Sequence, residues 1–308
     1  MATPPETGRR PVLDHVGRIF RPPSEAESLL LQVTVGCSHN RCTYCAMYDL
    51  PEQRFRPKAW ATVAADIDEA AALAASGLEI RRVFLCDGDA LILSTEKLAR
   101  ILTRLRERLP AVRRVGIYGD ARSILRKSVD ELAMLRRLGL GIVYHGAESG
   151  DDEVLTRVCK GSTAADAVGA AGRLRAAGLR HSVMVMLGLG GTERSEQHAR
   201  ATARLLTEMD PPYVGALTTT LVPGTPLHAA AAEGAFTLPD RWRLLAELRT
   251  LIAESRLTRC RFHSNHASNY LPLSLNLPVD RERALALLDD LLRRRDDAGL
   301  RPEYRRGL

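Results

Sequence analysis

Three thiols within nine residues, Cys37, Cys42 and Cys45, are the groups in this chain best suited to chemistry. Their spacing is C-x4-C-x2-C, in a loop that follows an apolar run. Three thiolates so close can bind three corners of a four-iron cluster, whereas a cluster held only by protein takes four cysteines. The next cysteine, Cys86, ends a different apolar run. The triad therefore implies a [4Fe–4S] cluster with one iron open to a substrate or cofactor. A zinc site is the alternative, with His39 as a fourth ligand, although His39 lies between two of the thiols and fits a tetrahedron poorly. A disulfide needs an oxidising compartment, and nothing marks the chain as secreted.

Those thiols must be positioned by the surrounding elements. Short apolar runs at 30–35, 82–86, 113–118, 141–145, 182–187 and 213–221 each precede a helical pattern. The helices are expected at 61–76, 95–108, 129–138, 163–177, 196–209 and 241–256. Leu98, Ile101, Leu102, Leu105 and Leu109 share one face of the second. A capping box, Ser128 to Glu131, opens the third, and Asp240 caps the sixth. Gly77, Gly139 and Gly178 stop the first, third and fourth. Alternating strands and helices predict an α/β fold with parallel pairing. Six units make a partial (β/α)6 TIM-like barrel, open on one side.

In such folds the chemistry gathers at the carboxyl ends of the strands. The thiol loop follows the first strand, and Asp87-Gly88-Asp89 follows the second. Asp120 and Arg122 follow the third, Glu148-Ser149-Gly150 the fourth, and Gly188-Leu189-Gly190-Gly191 the fifth. Val222-Pro223-Gly224-Thr225-Pro226 follows the sixth. All six would face one mouth.

Over residues 29–226 the chain resembles radical S-adenosylmethionine (radical SAM) enzymes, in the branch of coproporphyrinogen-oxidase-like and methylthiotransferase-like proteins. The resemblance rests on the cysteine loop with Tyr44 before its last thiol, and on Asp87-Gly88-Asp89 in place of a GGE-type turn. It rests also on Gly146-Ala147-Glu148-Ser149-Gly150 and on Val185–Gly191 at the fifth strand. The chain departs from the pattern by one extra residue between Cys37 and Cys42, and by Asp-Gly-Asp for the GGE turn.

The resemblance implies two cofactors, a [4Fe–4S] cluster on Cys37, Cys42 and Cys45 and S-adenosylmethionine on the open iron. One electron would cleave the sulfonium to a 5′-deoxyadenosyl radical, which takes a hydrogen atom from a small polar or nucleoside-like substrate. The carbonyls of Asp87, Gly88 and Asp89, or the Asp89 carboxylate, would hold the methionine ammonium. Glu148 would accept from the ribose hydroxyls. Gly188, Gly190 and Gly191 would let backbone approach the adenine, and Tyr44 belongs with these cofactor contacts. Plainer readings stand beside them. Asp87–Asp89 could be a turn with Gly88 at positive φ, Glu148 a surface residue at a helix start, and the glycine run only a loop.

A second polar stretch, 261–272, carries His263, Asn265, His266, Asn269 and Tyr270 with no apolar period. With Asp120 and Arg122 these are candidates for substrate contact, folded over the barrel mouth. Capping of the barrel edge is the alternative for the stretch, and metal ligation by His263 and His266 a weaker one. Cys86, Cys159 and Cys260 have no cluster-like spacing and read as structural.

The composition is that of a globular protein, with 45% hydrophobic and 26% charged residues in a 308-residue chain. The expected layout is a lead-in at 1–28, the barrel at 29–226 and a helical extension at 227–308 that covers it. No apolar run approaches the ~20 residues of a membrane span, and the first ten residues hold no secretory signal, so the cytoplasm is expected. The net charge of +7 is spread along the chain, with 4 lysines among 44 basic residues. Arg113-Arg114 and Arg293-Arg294-Arg295 read as solvated edges. Partners are expected to be a small-molecule substrate and an electron donor of the flavodoxin or ferredoxin kind, with nucleic acid a lesser option. Two other functions remain: a cofactor-binding carrier of the same fold without substrate chemistry, and a tRNA-modifying radical enzyme.

Overall fold

A computed structural model describes residues 13–307. The first part of the expected lead-in, residues 1–12, lies outside the described residues. The rest of the lead-in is irregular apart from a single 3-10 turn, Pro23–Glu25.

The strands are β1 (Leu29–Gln32), β2 (Thr34–Val35), β3 (Arg56–Pro57), β4 (Arg82–Cys86), β5 (Arg114–Tyr118), β6 (Leu140–Glu148), β7 (Arg180–Leu187), β8 (Tyr213–Thr218), β9 (Cys260–His263) and β10 (Ser274–Leu277). The helices are α1 (Trp60–Ala75), α2 (Thr95–Arg108), α3 (Ala121–Leu125), α4 (Val129–Arg137), α5 (Asp152–Arg157), α6 (Ala164–Ala176), α7 (Gly191–Met209), α8 (Pro226–Ala232), α9 (Arg241–Glu254) and α10 (Arg281–Arg294). One eight-stranded sheet runs in the order β1-β4-β5-β6-β7-β8-β9-β10. It is parallel from β1 to β9, and β10 returns antiparallel. The six expected strand–helix units are present, in an open barrel. Two features depart from the reading of the sequence. The first strand breaks at Val33, where the chain leaves β4 and β2 pairs instead with the returning β3. The region after residue 226, expected to be helical, contributes β9 and β10 as well as helices.

Local chemistry accounts for the helix ends. The Ser128–Glu131 capping box is formed, and a second joins Thr163 to Asp166. Asp240 accepts from the Arg243 N–H at the start of α9. After α4 the chain turns at Gly139 with φ +112°, a conformation that costs glycine nothing.

Outward-facing strand residues pack under the helices in two cores. Leu31, Val83, Leu85, Ile117 and Val143 meet α1, α2, α4 and α6. Val183, Val185, Val214 and Phe262 meet α7, α9 and α10. Each large side chain so buried contributes about 1.5–3 kcal/mol. The inward face is different. Parallel register places Tyr118, Tyr144, Ser182 and Tyr213 in one row. A second row holds Gly146, Met184, Gly215 and His263. The base of the barrel is filled by Phe84, Ile142 and Ile19. No helix among the described residues is long and apolar enough to cross a membrane.

Candidate active site

The loop after β2 is tied to the neighbouring strand ends through its own backbone and polar side chains. Gly36 has φ +75°, and a Cβ there would lie 2.1 Å from the Gln53 carbonyl oxygen, so the loop can double back only at glycine. The Gly36 N–H donates to Asp87 Oδ2 at 2.9 Å. The Thr43 N–H donates to the Val158 carbonyl at 3.0 Å, and the Thr43 carbonyl accepts from Leu227 N–H at 2.9 Å. His39 explains the longer C-x4-C connection. Its Nε2 lies 2.6 Å from the Cys159 carbonyl and its Nδ1 3.1 Å from the Arg122 guanidinium. Both ring nitrogens are thus taken, which removes His39 as a zinc ligand.

Cys37, Cys42 and Cys45 are free and partly exposed. Burial raises the pKa of all three, that of Cys42 to about 11, and neighbouring thiols add to the rise at Cys42 and Cys45. A cationic group is what would make them thiolates, the form that binds metal. Among the described residues, no three His, Cys, Asp or Glu side chains converge on a point as they do around one metal ion. A cluster makes no such demand, because each thiolate has its own iron. The donor set, three free cysteines on one loop, fits three corners of a [4Fe–4S] cluster.

The Asp87-Gly88-Asp89 turn supports that loop from beneath. Gly88 is not at positive φ. A Cβ on it would meet Cys37 Cβ at 2.8 Å and Tyr48 Cε2 at 2.7 Å, so glycine serves close approach to the cysteine loop. Asp87 Oδ2 accepts from Gln32 Nε2 at 2.7 Å, while its Oδ1 is buried without a partner. Asp89 is 1% exposed. Its carboxylate accepts from Ser38 Oγ and Ser123 Oγ at 2.5 Å and from the Asp120 N–H at 3.0 Å. It staples three loops together, Oδ2 accepting twice and Oδ1 once. Burial pushes both carboxyls up to about 6.

Glu148 ends β6 at φ +66°, a rare conformation for a residue with a side chain. A Cβ on Gly146 would lie 2.0 Å from Glu148 Oε1, so the carboxylate folds back over its own strand. It pairs with Lys160 Nζ at 3.3 Å, both side chains being about nine-tenths buried. Glu148 is therefore no surface residue. Burial works against the charge on Lys160, but Glu148, Cys42 and Asp120 outweigh it and hold its pKa above the usual lysine range. Asp120 caps α3, pairs with Arg122 at 2.8 Å and is held below the usual carboxylate range; burial opposes this, but Arg122 and Lys160 prevail. Tyr44 lies beside Cys42 and packs on Val154, Val158, Met186 and Leu189.

Lys160 was not singled out by sequence reasoning. A signal was available: only 4 of the 44 basic residues are lysine. Three of them, Lys58, Lys127 and Lys160, are buried at their side chains. Where arginine serves the surface, lysine persists where a compact ammonium fits.

The other expected contacts are explained by packing. A Cβ on Gly188 would strike Leu244 Cδ2 at 2.7 Å, and one on Gly191 would press on Phe236 Cε2 at 3.1 Å. A Cβ on Gly190 would meet His198 Cβ at 2.9 Å. The turn donates Gly188 N–H to Glu247 Oε2 at 2.6 Å and seats itself on α9. These glycines need no adenine. Asn269 is 2% exposed; its Nδ2 donates to the Ala216 carbonyl and its Oδ1 accepts from Thr218 Oγ1, both at 2.8 Å. It completes the edge of β8 where β9 stops pairing, which makes it a structural cap and not a substrate contact. His266 bonds Ser268 locally, and Tyr270 donates to Glu303 beneath the Arg306 guanidinium. Asn265 is exposed. His263 alone of the five sits in the inward row, its Nδ1 3.1 Å from Ser274 Oγ.

The family model described as the Radical SAM superfamily matches residues 31–206. No curated protein matches the sequence. Among solved structures, the radical S-adenosylmethionine methyltransferase TsrM of Kitasatospora setae, with cobalamin and a [4Fe–4S] cluster bound, is similar at TM-score 0.54 and 22% identity, over 69% of this chain and 41% of its own. Methylornithine synthase (PylB) follows at 0.51 and 18%, over 75% and 63%. Coproporphyrinogen III oxidase (HemN) from Escherichia coli gives 0.54 and 18%, over 73% and 51%. The chain thus spans between 41% and 63% of the length of these proteins. The fold is common to all of them, and the family match covers more than half of the sequence: the chain belongs to the radical SAM superfamily, enzymes that work with a [4Fe–4S] cluster and S-adenosylmethionine.

Proposed function

We propose that Cys37, Cys42 and Cys45 hold the cluster and that the strand ends around them seat S-adenosylmethionine for radical chemistry on a small substrate inside the barrel. The observation that carries this is the arrangement of three thiols on one pinned loop beside the buried Glu148–Lys160 pair. When bound, the cluster and S-adenosylmethionine supply reductive cleavage of the sulfonium and abstraction of a hydrogen atom. The chain's own part is to bind, orient and keep out water. Lys160 presents a fixed ammonium suited to a carboxylate, and Glu148 presents a carboxylate suited to hydroxyls or an ammonium. The carbonyls of residues 87–89 are further acceptors. The inward residues Tyr118, Tyr213, Met184 and His263 offer a mixed apolar and polar wall, with room left by Gly215. Such a wall suits a small molecule with a few polar groups. The partial exposure of the cysteines leaves a route for an electron from a flavodoxin- or ferredoxin-like donor.

Anaerobic reconstitution, reduction with dithionite and assay for 5′-deoxyadenosine test the reading. Release of 5′-deoxyadenosine that needs all three cysteines is the expected result. A reduced cluster that never yields it would leave a cofactor-binding carrier.

A further inference from the structure

The sheet has a second end, opposite the cysteine loop, and that end is basic. β4, β5 and β7 begin at Arg82, Arg114 and Arg180. Parallel pairing brings strand starts to one rim, and Arg81 and Arg113 immediately precede two of them. These five arginines line a cavity of about 540 Å³, with no other residue type among its lining. Arg82 and Arg114 stand directly opposite in the strand register. Like charges so placed repel.

The chain answers only part of that repulsion. Arg81 pairs with Glu79, Arg82 with Glu27 at 2.6 Å, and Arg114 with the buried Glu25 at 2.5 Å. Among the described residues Arg113 and Arg180 have no carboxylate within 4.0 Å, so five cations face three anions. Elsewhere neighbouring arginines share a partner, as Arg104 and Arg108 share Asp68. Both side chains are exposed, and apart from a bond of 3.4 Å from Arg180 Nε to the Gly141 carbonyl neither guanidinium is engaged among the described residues.

We propose that this rim binds a compact polyphosphate anion, either free or as the phosphate tail of a nucleotide. Guanidinium groups match phosphate oxygens two at a time. The five arginines share one hollow of about 540 Å³, and no aromatic side chain lines it to stack a base. Both features favour a compact ligand over a nucleic-acid strand. The inference is independent of the cluster and its cofactor.

Isothermal titration calorimetry of the cluster-loaded full chain, under nitrogen at low salt, tests this with inorganic tripolyphosphate, ATP without magnesium, and a single-stranded RNA 20-mer. Saturable 1:1 binding of tripolyphosphate that weakens with added salt is expected. Arg113→Gln and Arg180→Gln should each weaken it about tenfold, the scale of one charge-assisted hydrogen bond. Arg293→Gln, a change on exposed α10, should leave it unaltered, and thermal melting should be the same for all three variants. ATP binding no tighter than tripolyphosphate identifies the phosphates as the whole ligand; tighter ATP binding identifies a nucleotide. Absence of saturable heat with both, or binding indifferent to Arg113→Gln and Arg180→Gln, overturns the proposal. RNA binding stronger than polyphosphate binding, lost in the same variants, replaces it with a nucleic-acid surface.

Discussion

Lys160 and Glu148 form a pair whose loss should be felt before any cofactor is added. Replacing Lys160 by Met leaves a carboxylate buried beside three thiols, and breaking a buried pair from one side costs about 3–5 kcal/mol. Urea denaturation of the cluster-free protein at pH 7 measures this. A loss of less than about 1 kcal/mol, the range of exposed pairs, would show that water reaches the site freely. The cysteines make the opposite prediction. Cys37→Ala, Cys42→Ala or Cys45→Ala should leave the fold intact and abolish retention of the roughly four irons of a cluster. Cys86→Ala should retain them, since Cys86 is fully buried and its thiol faces the Phe84 carbonyl. Iron and sulfide analysis after reconstitution decides between these outcomes, and one zinc without sulfide would defeat the assignment.

At the level of elements, two buried polar groups hold strands and helices in place. Asn269 stands in for strand pairing along β8, so Asn269→Ala strands a carbonyl and a hydroxyl at a cost of about 1–3 kcal/mol. The expected result is a lower melting temperature with cluster retention falling alongside it. Unchanged stability with lost product would return Asn269 to the substrate. Glu247, on α9, is 2% exposed and bonds Gly188 and Ser195; burial raises its pKa to about 7. An unfolded glutamate titrates near 4.3. The raised folded value means that its contribution to stability is fully present below about pH 4.3 and is lost as the pH climbs through about 7. Glu247→Gln should therefore flatten the fall in stability between about pH 4.3 and about pH 7. A variant with the wild-type pH profile would refute the assignment to this group.

Across the whole molecule, the strand–helix order and the polar strand ends were legible because periodicity and caps are local. What escaped the sequence depends on distant partners. Asp89 looks like a ligand group until Ser38, Ser123 and Asp120 are seen to occupy it. The glycines at 188–191 look like a cradle until Leu244 of α9, His198 of α7 and Phe236 are seen to press against them. β9 and β10 are too short and polar to announce themselves, and β9 exists because β8 offers an open edge. Glu148 gave no hint of its partner, because Lys160 comes twelve residues later across a helix. The distribution of lysine has a practical consequence. Lys97 is exposed while the other three lysines are buried. An acylating reagent used briefly on the folded protein should modify one lysine, and all four once the fold opens. Mass spectrometry of the adduct ladder would then report unfolding lysine by lysine, and an affinity handle or fluorophore could be attached at Lys97 without engineering the chain.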